Sequence, residues 1–338
     1  MTDTADIPNL ISVVVIGRNE GQRLSRCLQS IAQMQHPSFD IEVIYVDSGS
    51  EDGSTTLAQE SGAKVIALQP DRPSAALGRN AGWRAARGAT ILFLDGDTIL
   101  HPAFVTASLP DLTGNIAVVW GHRREIHPEA SIYNAVLDLD WIYAPGPTLY
   151  CGGDALFRHS VLSATNGFDE TLIAGEEPEL CRRIAALDFT ILHVDRPMTG
   201  HDLAITRFSQ YWRRNTRAGH AYAEVSERMK ATGETFWAYE ATRNRNRALT
   251  LTACFLLALA LSIKDHGILP LLAFALCLLA IVLRSAYKAR WKSPNKLTLF
   301  LYGIHSHLQQ IPIYYGQLQY KWNRRRGKRA QLLEYKQP

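Results

Sequence analysis

The segment LFLDGDTIL, residues 92–100, joins an apolar run to two aspartates that are one residue apart. A short apolar run that ends in a turn is typical of a strand buried on both faces. Asp95 and Asp97 would then lie at the carboxyl end of that strand. Carboxylates this close repel each other unless a metal ion, an arginine or water lies between them. Taken alone, the segment also fits an ordinary solvated turn, because Asp and Gly are common in turns.

Three more apolar runs alternate with helical patterns in the first part of the chain. We predict four strands at 10–16, 41–46, 63–68 and 90–95, each buried on both faces, and helices at 21–34, after Asp52 and at 74–86. Asp52 or Ser54 is the expected N-cap of the middle helix. This alternation predicts βαβ crossovers and a mostly parallel sheet, whose ligands bind at the carboxyl ends of the strands. The polar residues expected at those ends are Arg18, Asn19, Glu20, Asp47, Asp95 and Asp97.

Composition narrows the class of protein. The 338 residues are 46% hydrophobic, which is enough to bury a full core. The five cysteines are scattered and form no CxxC pair, which argues against a disulfide framework or a zinc site. The first ten residues lack a basic region and an apolar run, so we expect no secretory signal.

Two apolar runs, 249–263 and 268–283, differ in composition from everything before them. Each would be about 24 Å long as a helix, somewhat short of a hydrocarbon core of roughly 30 Å. Both outer flanks are basic, which places both ends of such a hairpin on the cytoplasmic side. We predict a membrane hairpin that spans or enters the bilayer, and the alternative is a buried hairpin in a soluble domain. The flanking bases are Arg243, Arg245, Arg247, Arg284, Lys288, Arg290 and Lys292.

The C-terminal segment is strongly basic. From Arg284 onward the chain has 12 Lys and Arg against a single acid, Glu334. Residues 297–329 also mix aromatic and apolar side chains, which is typical of a segment that lies on an anionic membrane surface. We expect no nucleic-acid partner, because the basic cluster follows apolar segments and no nucleic-acid-binding motif is present.

Six motifs in one order resemble the family 2 glycosyltransferases with the GT-A fold, from Ile11 to about Gly219. They are SVVVIGRNEGQRLSRCLQSI, VIYVDSGSEDGS, LGRNAGWRAARG, FLDGDT, CGGDALFR with NGFDE, and GEEPELCRR. Ser48 replaces the second aspartate of the family's V-D-D-G-S loop. One such motif would be weak evidence, and six in register are strong.

The resemblance implies transfer of a sugar, with inversion, from a nucleotide sugar that is most often a UDP-sugar. It also implies Mg²⁺ or Mn²⁺, whose oxygen-rich sites stabilise a departing diphosphate. The implied metal ligands are Asp97 and His201. The implied donor-binding residues are Arg18, Glu20, Asp47, Arg79, Asp95 and Arg213, and the implied acceptor-side residues are Gly152, Gly153 and Asp154.

Inversion needs a base that takes the proton of the acceptor hydroxyl. The family's base position corresponds to Glu177, with the adjacent Glu176 as the alternative. Two acids at a helix start also fit simple stabilisation of the helix dipole. The segment SQYWRRNTRAGHAY resembles the Q-x-x-R-W motif of processive synthases through Gln210 and Arg213, but Arg214 stands where that motif has tryptophan.

We therefore predict a catalytic domain at 1–245, a membrane hairpin at 246–292 and an amphipathic basic tail at 293–338. The expected function is addition of single sugars to a lipid or lipid-linked acceptor, in glycolipid or polysaccharide synthesis at the cytoplasmic face of the inner membrane. The alternatives are a processive polysaccharide synthase, a membrane-anchored nucleotide-sugar binder without turnover, and a soluble βαβ protein whose acids are structural.

Overall fold

The protein is described by a computed structural model over residues 7–36 and 38–328, without the side chain of Pro8. Contacts between Cα atoms divide it into two compact units. The sheet unit holds the chain up to Ile126 together with Trp141–Asp202. The helical unit holds His127–Asp140 and the chain from Leu203 onward.

A single mixed sheet organises the sheet unit. Its order is β3-β2-β1-β4-β8-β6-β9-β5, with β7 paired to β9. The nine strands found in the described residues are β1 (Ile7–Gly17), β2 (Asp40–Asp47), β3 (Lys64–Ala67), β4 (Gly88–Asp95), β5 (Thr98–Leu100), β6 (Ile116–Glu125), β7 (Gly146–Thr148), β8 (Ala155–Arg158) and β9 (Thr190–His201).

Helices connect the parallel strands β1 to β4, as the alternating pattern predicts. The four predicted strands and the three predicted helices are all confirmed. One detail was wrong: β3 lies at the sheet edge and none of its residues is fully buried. The helices of the unit are α1 (Gln22–Ala32), α2 (Ser54–Glu60), α3 (Ala75–Ala85), α4 (Phe104–Ser108), α6 (His159–Thr165) and α7 (Glu176–Ala185).

The start of α2 differs from the prediction. Its N-cap is Gly53, with φ of 82°, and not Asp52 or Ser54. The Asp52 carboxylate instead accepts the backbone N–H of Ser54, at 3.1 Å. A left-handed backbone favours glycine, so the cap position suits Gly53 while Asp52 still satisfies a free N–H of the first turn.

The second half of the sheet is not mostly parallel. Strand β8 runs antiparallel to both β4 and β6, and β5 and β7 run antiparallel to β9. Strands β5 and β7 have three residues each, which is too short to show a period-2 pattern in sequence. Strands β6 and β9 pair in parallel, so the prediction of a mostly parallel sheet holds for β1 to β4 and for this pair, while β5, β7 and β8 add antiparallel pairs that it did not include.

Six helices make up the described part of the helical unit. They are α5 (Ile132–Asp140), α8 (Phe208–Ala231), α9 (Ala238–Lys264), α10 (Leu269–Lys288), α11 (Lys296–Leu308) and α12 (Gln310–Arg325).

Helices α8 and α12 meet backbone to backbone. A Cβ atom added at Gly219 would lie 1.9 Å from the carbonyl oxygen of Ile313, and one added at Gly316 would lie 2.0 Å from that of Thr216. Only glycine fits at both positions. Much of the segment predicted as an interfacial tail is therefore a packed helix, while residues from 329 onward lie outside the described residues.

Helices α9 and α10 correspond to the two apolar runs. Both are long and apolar enough to cross a membrane, by length and composition. Only 17% of the most apolar window of α9 and 6% of that of α10 is buried. The core helix of a soluble domain would be mostly buried, so the hairpin does not form a hydrophobic core within this chain.

Candidate active site

The carboxyl ends of three neighbouring strands lie level with one another. Gly17 at the end of β1 pairs with Asp47 at the end of β2, and Ile16 pairs with Asp95 at the end of β4. The register therefore brings the loops after β1, β2 and β4 to one edge of the sheet. Ligands of such sheets bind at this edge.

Asp95, Asp97 and His201 form a cluster that could hold a metal ion. One ligand atom from each lies within 4.8 Å of the others. Strand β5 pairs Thr98 with His201, which brings the imidazole next to Asp97. His201 Nε2 lies 3.3 Å from Asp97 Oδ2, and both side chains are buried. Two carboxylates and an imidazole are a donor set that fits Mn²⁺ or Mg²⁺.

Arg79 joins this cluster to the start of α7. Its Nη2 atom lies 2.9 Å from Asp95 Oδ1, and its Nη1 atom lies 2.9 Å from both Glu176 Oε1 and Glu177 Oε1. The side chain is only 2% exposed. We predicted Arg79 as a donor-binding residue, and the structure shows its guanidinium held by three carboxylates. The Arg79 guanidinium thus positions the carboxylates of Asp95, Glu176 and Glu177.

Glu177 has a raised pKa in this structure. Burial, followed by the charge of Glu176, raises its pKa to about 7, although the charge of Arg79 opposes the shift. Its side chain is 17% exposed, against 4% for Glu176. A base works best with a pKa near the working pH and must reach its substrate. The raised pKa of Glu177 suits this role, and Glu177 is the more exposed of the two glutamates.

The loop before β8 closes over the Arg79–Asp95 ion pair. A Cβ atom added at Gly153 would lie 2.5 Å from Arg79 Nη2 and 3.1 Å from Asp95 Oδ2. Because Arg79 is clamped by three carboxylates, it cannot move aside. This explains glycine at position 153 of the predicted acceptor-side loop, where Gly152 precedes it.

Asp154 supports the site from inside. It is fully buried, and its Oδ1 atom accepts the backbone N–H of Asp95 at 3.0 Å. Its Oδ2 atom accepts the hydroxyl of Thr199 at 2.8 Å. Burial raises the pKa of this carboxyl. In this structure Asp154 holds the end of β4, and the acceptor-side role that we predicted for it stays a prediction.

Two side chains of the site escaped the sequence motifs. Arg123 on β6 lies with its Nη2 atom 3.5 Å from Asp95 Oδ2, and its guanidinium carbon lies 4.8 Å from the centre of the Trp141 ring. That ring in turn meets His201 edge-on, at 5.0 Å between ring centres. The only sequence signal was the basic pair Arg123 and Arg124 at the end of an apolar run.

The loop predicted to bind the nucleotide is shaped by Asp47. Its Oδ2 atom accepts the backbone N–H groups of Gly49 at 2.9 Å and Ser50 at 2.7 Å. In the loop after β1, Arg18 Nε donates to the carbonyl of Gly49 at 3.5 Å, and Glu20 Oε2 lies 2.9 Å from Arg23 Nε. The carboxylate of Asp47 is buried and orders the loop.

Arg213 belongs to a different part of the chain. It is exposed on α8, in the helical unit, whereas the other predicted donor-binding residues lie in the sheet unit. Its donor-binding role stays a prediction.

Negative charge exceeds positive charge at the site. A divalent cation would offset this excess. In the described part of the chain the carboxylates are Asp95, Asp97, Asp154, Glu176 and Glu177, and the guanidinium groups in contact with them are Arg79 and Arg123.

The buried position of Arg79 leads to a stability prediction. Arg79→Met should destabilise the fold by about 3–5 kcal/mol, because it leaves buried carboxylates without their counter-charge. Arg84→Met is the matched control: it lies on the same helix, is 47% exposed and pairs with Glu170, so it should cost about 1 kcal/mol or less. Urea unfolding of both variants measures the difference. Equal losses would show that Arg79 does not hold the site together.

Comparison with known proteins shows a likeness over the first half of the chain. A model described as Glycosyl transferase family 2 matches residues 12–163. Glycosyltransferase AglE of Haloferax volcanii is 26% identical over 130 residues, which is 37% of this chain and 42% of the relative. Poly(ribitol-phosphate) beta-N-acetylglucosaminyltransferase TarP of Staphylococcus aureus is 30% identical over 95 residues, 27% of this chain and 29% of the relative. The chain thus spans about two fifths or less of the length of these relatives.

A solved structure extends the likeness in fold over most of the chain. The mannosyltransferase PcManGT from Pyrobaculum calidifontis, in complex with GDP-Man and Mn²⁺, has a TM-score of 0.66 at 16% identity. The superposition covers 95% of this chain and 89% of that one. At this identity the likeness concerns the fold alone. Residues 12–163 are thus similar to the family 2 glycosyltransferases, and the described chain has a GT-A-like fold.

Proposed function

We propose that the protein transfers a sugar, with inversion, from a nucleoside-diphosphate sugar to a hydroxyl group of an acceptor at a membrane. The observation that best supports this proposal is the pair of contacts that links Glu177 through Arg79 to Asp95. It sets a carboxylate with a pKa of about 7 beside a metal-binding cluster. A base next to a leaving-group site is what an inverting transfer needs.

Each residue of the site has a distinct role in the proposed transfer. Glu177 takes the proton of the acceptor hydroxyl as that oxygen forms its bond to the anomeric carbon. The bond from the anomeric carbon to the diphosphate breaks, and its electron pair stays on the departing oxygen. Mg²⁺ or Mn²⁺ held by Asp95, Asp97 and His201 would offset the charge of that diphosphate. Arg79 holds the carboxylates of Glu177 and Asp95 in position during the reaction.

A single addition per acceptor is supported by the start of α8. The side-chain oxygen of Gln210 accepts the backbone N–H groups of Thr206 and Arg207, both at 3.0 Å, and so caps the helix. Gln210 therefore has a structural use that does not require a polysaccharide. Arg214 also replaces the tryptophan that the processive motif requires.

A panel of nucleotide sugars tests the proposed reaction. Purified full-length protein should release nucleoside diphosphate from one donor of a panel that includes UDP- and GDP-sugars, and chelation of divalent metal should stop the release. The GDP-sugars are included because PcManGT is described with GDP-Man and Mn²⁺. Donor binding without turnover over the whole panel and a range of lipid acceptors would favour the anchored binding protein instead.

We also propose that residues 246–292 anchor the enzyme in the membrane, between a catalytic part at 1–245 and a basic part at 293–338. Exposed apolar side chains cover α9 and α10. Aromatic and basic residues pair at the end of the hairpin away from its turn. The guanidinium carbon of the exposed Arg290 lies 4.1 Å from the centre of the Tyr287 ring, and that of the half-buried Arg243 lies 5.5 Å from the centre of the Tyr239 ring. Such pairs suit the headgroup level of a bilayer. The acceptor would be a lipid or a lipid-linked saccharide at the cytoplasmic face of the inner membrane.

Membrane extraction should separate the two kinds of attachment. High salt screens attraction between the basic part and anionic lipid, but it does not weaken burial of an apolar hairpin. Full-length protein should therefore stay with membranes in high salt and enter solution in detergent. Replacing Arg324, Arg325 and Arg326 by serine should change retention little. Release by salt alone would show that the hairpin is not inserted.

A further inference from the structure

The two arginines of the site are held very differently. Both terminal nitrogens of Arg79 lie at 2.9 Å from carboxylate oxygens. Arg123 lies 3.5 Å from Asp95 Oδ2 and 3.9 Å from Asp154 Oδ2, and its Nε donates no hydrogen bond to the described part of the chain. Its side chain is 14% exposed. Arg79 Nε likewise donates no such hydrogen bond, so the two arginines differ at their terminal nitrogens: those of Arg79 have carboxylate partners at 2.9 Å, whereas Arg123 has no carboxylate oxygen closer than 3.5 Å in the described part of the chain.

Trp141 sets the orientation of Arg123. The guanidinium lies over the indole ring, at 4.8 Å, so one of its faces is covered. Stacking on a face leaves the N–H groups, which lie in the guanidinium plane, able to donate to a planar or tetrahedral anion. The same indole meets His201 edge-on. Trp141 thus holds the arginine beside the metal-binding cluster.

Residue 152, beside one end of the Arg123 guanidinium, is a glycine. The backbone of Gly152 passes nearby, and even a Cβ atom added there would lie 3.9 Å from Arg123 Nη1. No side chain of residue 152 covers that end of the guanidinium. The carboxylate that Arg123 contacts most closely, Asp95, is itself a member of the metal-binding cluster. A cation at the cluster would compete with Arg123 for the charge of Asp95.

We propose that Arg123, stacked on Trp141, binds the diphosphate of the donor and stabilises it as the leaving group. The inference rests on the proposed function, because it requires a nucleoside-diphosphate donor. An arginine fork matches two phosphate oxygens better than it matches carboxylates at 3.5 and 3.9 Å. As the bond to the anomeric carbon breaks, its electron pair passes to the phosphate oxygen. The hydrogen bonds from Arg123 therefore strengthen as the charge grows.

A purely structural role is the competing explanation. In that case Arg123 would serve only to offset Asp95 and Asp154 and to seat Trp141. Its loss would then weaken every ligand of the site alike, or destabilise the fold. A role toward the diphosphate predicts a loss that depends on the number of phosphates in the ligand.

Calorimetric binding to the full-length protein in detergent and Mn²⁺ separates these roles. The probes are UDP, UMP, GDP and GMP, and the variants are Arg123→Gln and Arg123→Lys. Arg123→Gln should weaken binding of the diphosphate that wild type binds on the order of 10- to 100-fold, since hydrogen bonds to a charged group are lost. Binding of the corresponding monophosphate should change little. Arg123→Lys keeps the charge but loses the stacked fork, so its loss should be intermediate.

Arg124→Gln is the matched control, because Arg124 is the exposed neighbour on the same strand and should behave as wild type. The inference is overturned if diphosphate and monophosphate weaken equally in both Arg123 variants, or if neither weakens. Should Arg123→Gln fail to fold, Arg123→Lys decides by the same comparison. If wild type binds none of the four nucleotides, the proposed function itself is wrong.

Discussion

Asp97→Asn should abolish metal-dependent transfer while the protein stays folded. The change removes one charge from a buried cluster that carries an excess of negative charge, and it barely alters side-chain volume. Metal stabilisation of a leaving group contributes several kcal/mol, so the rate should fall at least about 10³-fold. Release of nucleoside diphosphate measures the rate, and calorimetry with Mn²⁺ measures the lost metal binding.

The matched control for this variant is Asp71→Asn, at an exposed aspartate in the loop between β3 and α3. It should leave both the rate and Mn²⁺ binding unchanged. Thermal unfolding of Asp97→Asn should occur no lower than that of wild type, because the substitution relieves repulsion with Asp95. Transfer that persists in Asp97→Asn and still stops on chelation would place the metal elsewhere.

Glu177→Gln should retain donor binding and lose transfer. Glutamine keeps the shape of the side chain but cannot accept the proton of the acceptor hydroxyl. General-base catalysis contributes about 10²–10⁴-fold, and the rate should fall by that factor. Binding of the nucleoside diphosphate should stay close to wild type, because the site for the donor lies at Asp95, Asp97 and the loops beside them. Calorimetry and the rate of release separate the two effects.

Glu176→Gln provides the comparison that assigns the base. Glu176 is the more buried acid and its carboxylate lies against Arg79, so its loss should act through the position of Arg79. We expect a smaller fall in rate than for Glu177→Gln. The assignment of Glu177 is wrong if Glu176→Gln abolishes transfer while Glu177→Gln does not.

The pH dependence gives Glu177 a second signature. Only its carboxylate form can act as a base, so the wild-type rate should rise with pH and level off above about 7. The stability of the fold should change with pH in the opposite direction to the rate. Because folding raises the pKa of Glu177 from 4.5 to about 7, wild type loses stability as pH rises through this range. Glu177→Gln should match the melting temperature of wild type in acid and exceed it above pH 7.

Local patterns were sufficient for the first half of the sheet and for its polar edge. Strands β1, β2 and β4 are long apolar runs, and each ends at the residue where the pattern becomes polar. Because parallel strands joined by helices align their carboxyl ends, the sequence also indicated that Asp47 and Asp95 would lie at one edge. The apolar hairpin was equally visible, since its signal is composition over 15 or more residues.

The short antiparallel strands of the sheet left little local signal. Strands β5 and β7 are three residues long, and their partner β9 pairs with them from distant positions in the chain. The packing of α12 on α8 likewise depends on two glycines, Gly219 and Gly316, that are 97 residues apart. The reason for a glycine inside a helix becomes clear only when the backbone that packs against it is known.

The sequence by itself determined the family motifs, the strand ends and the acids of the candidate metal cluster. Only the tertiary structure decided which groups the arginines contact. Arg79 looked like a phosphate ligand but is held by Asp95, Glu176 and Glu177, which reach it from three separate segments. Arg123 carried no motif, yet its strand places it over Trp141 and beside Asp95. The charge and partners of an ionisable side chain are set by groups distant in sequence, and no local pattern records them.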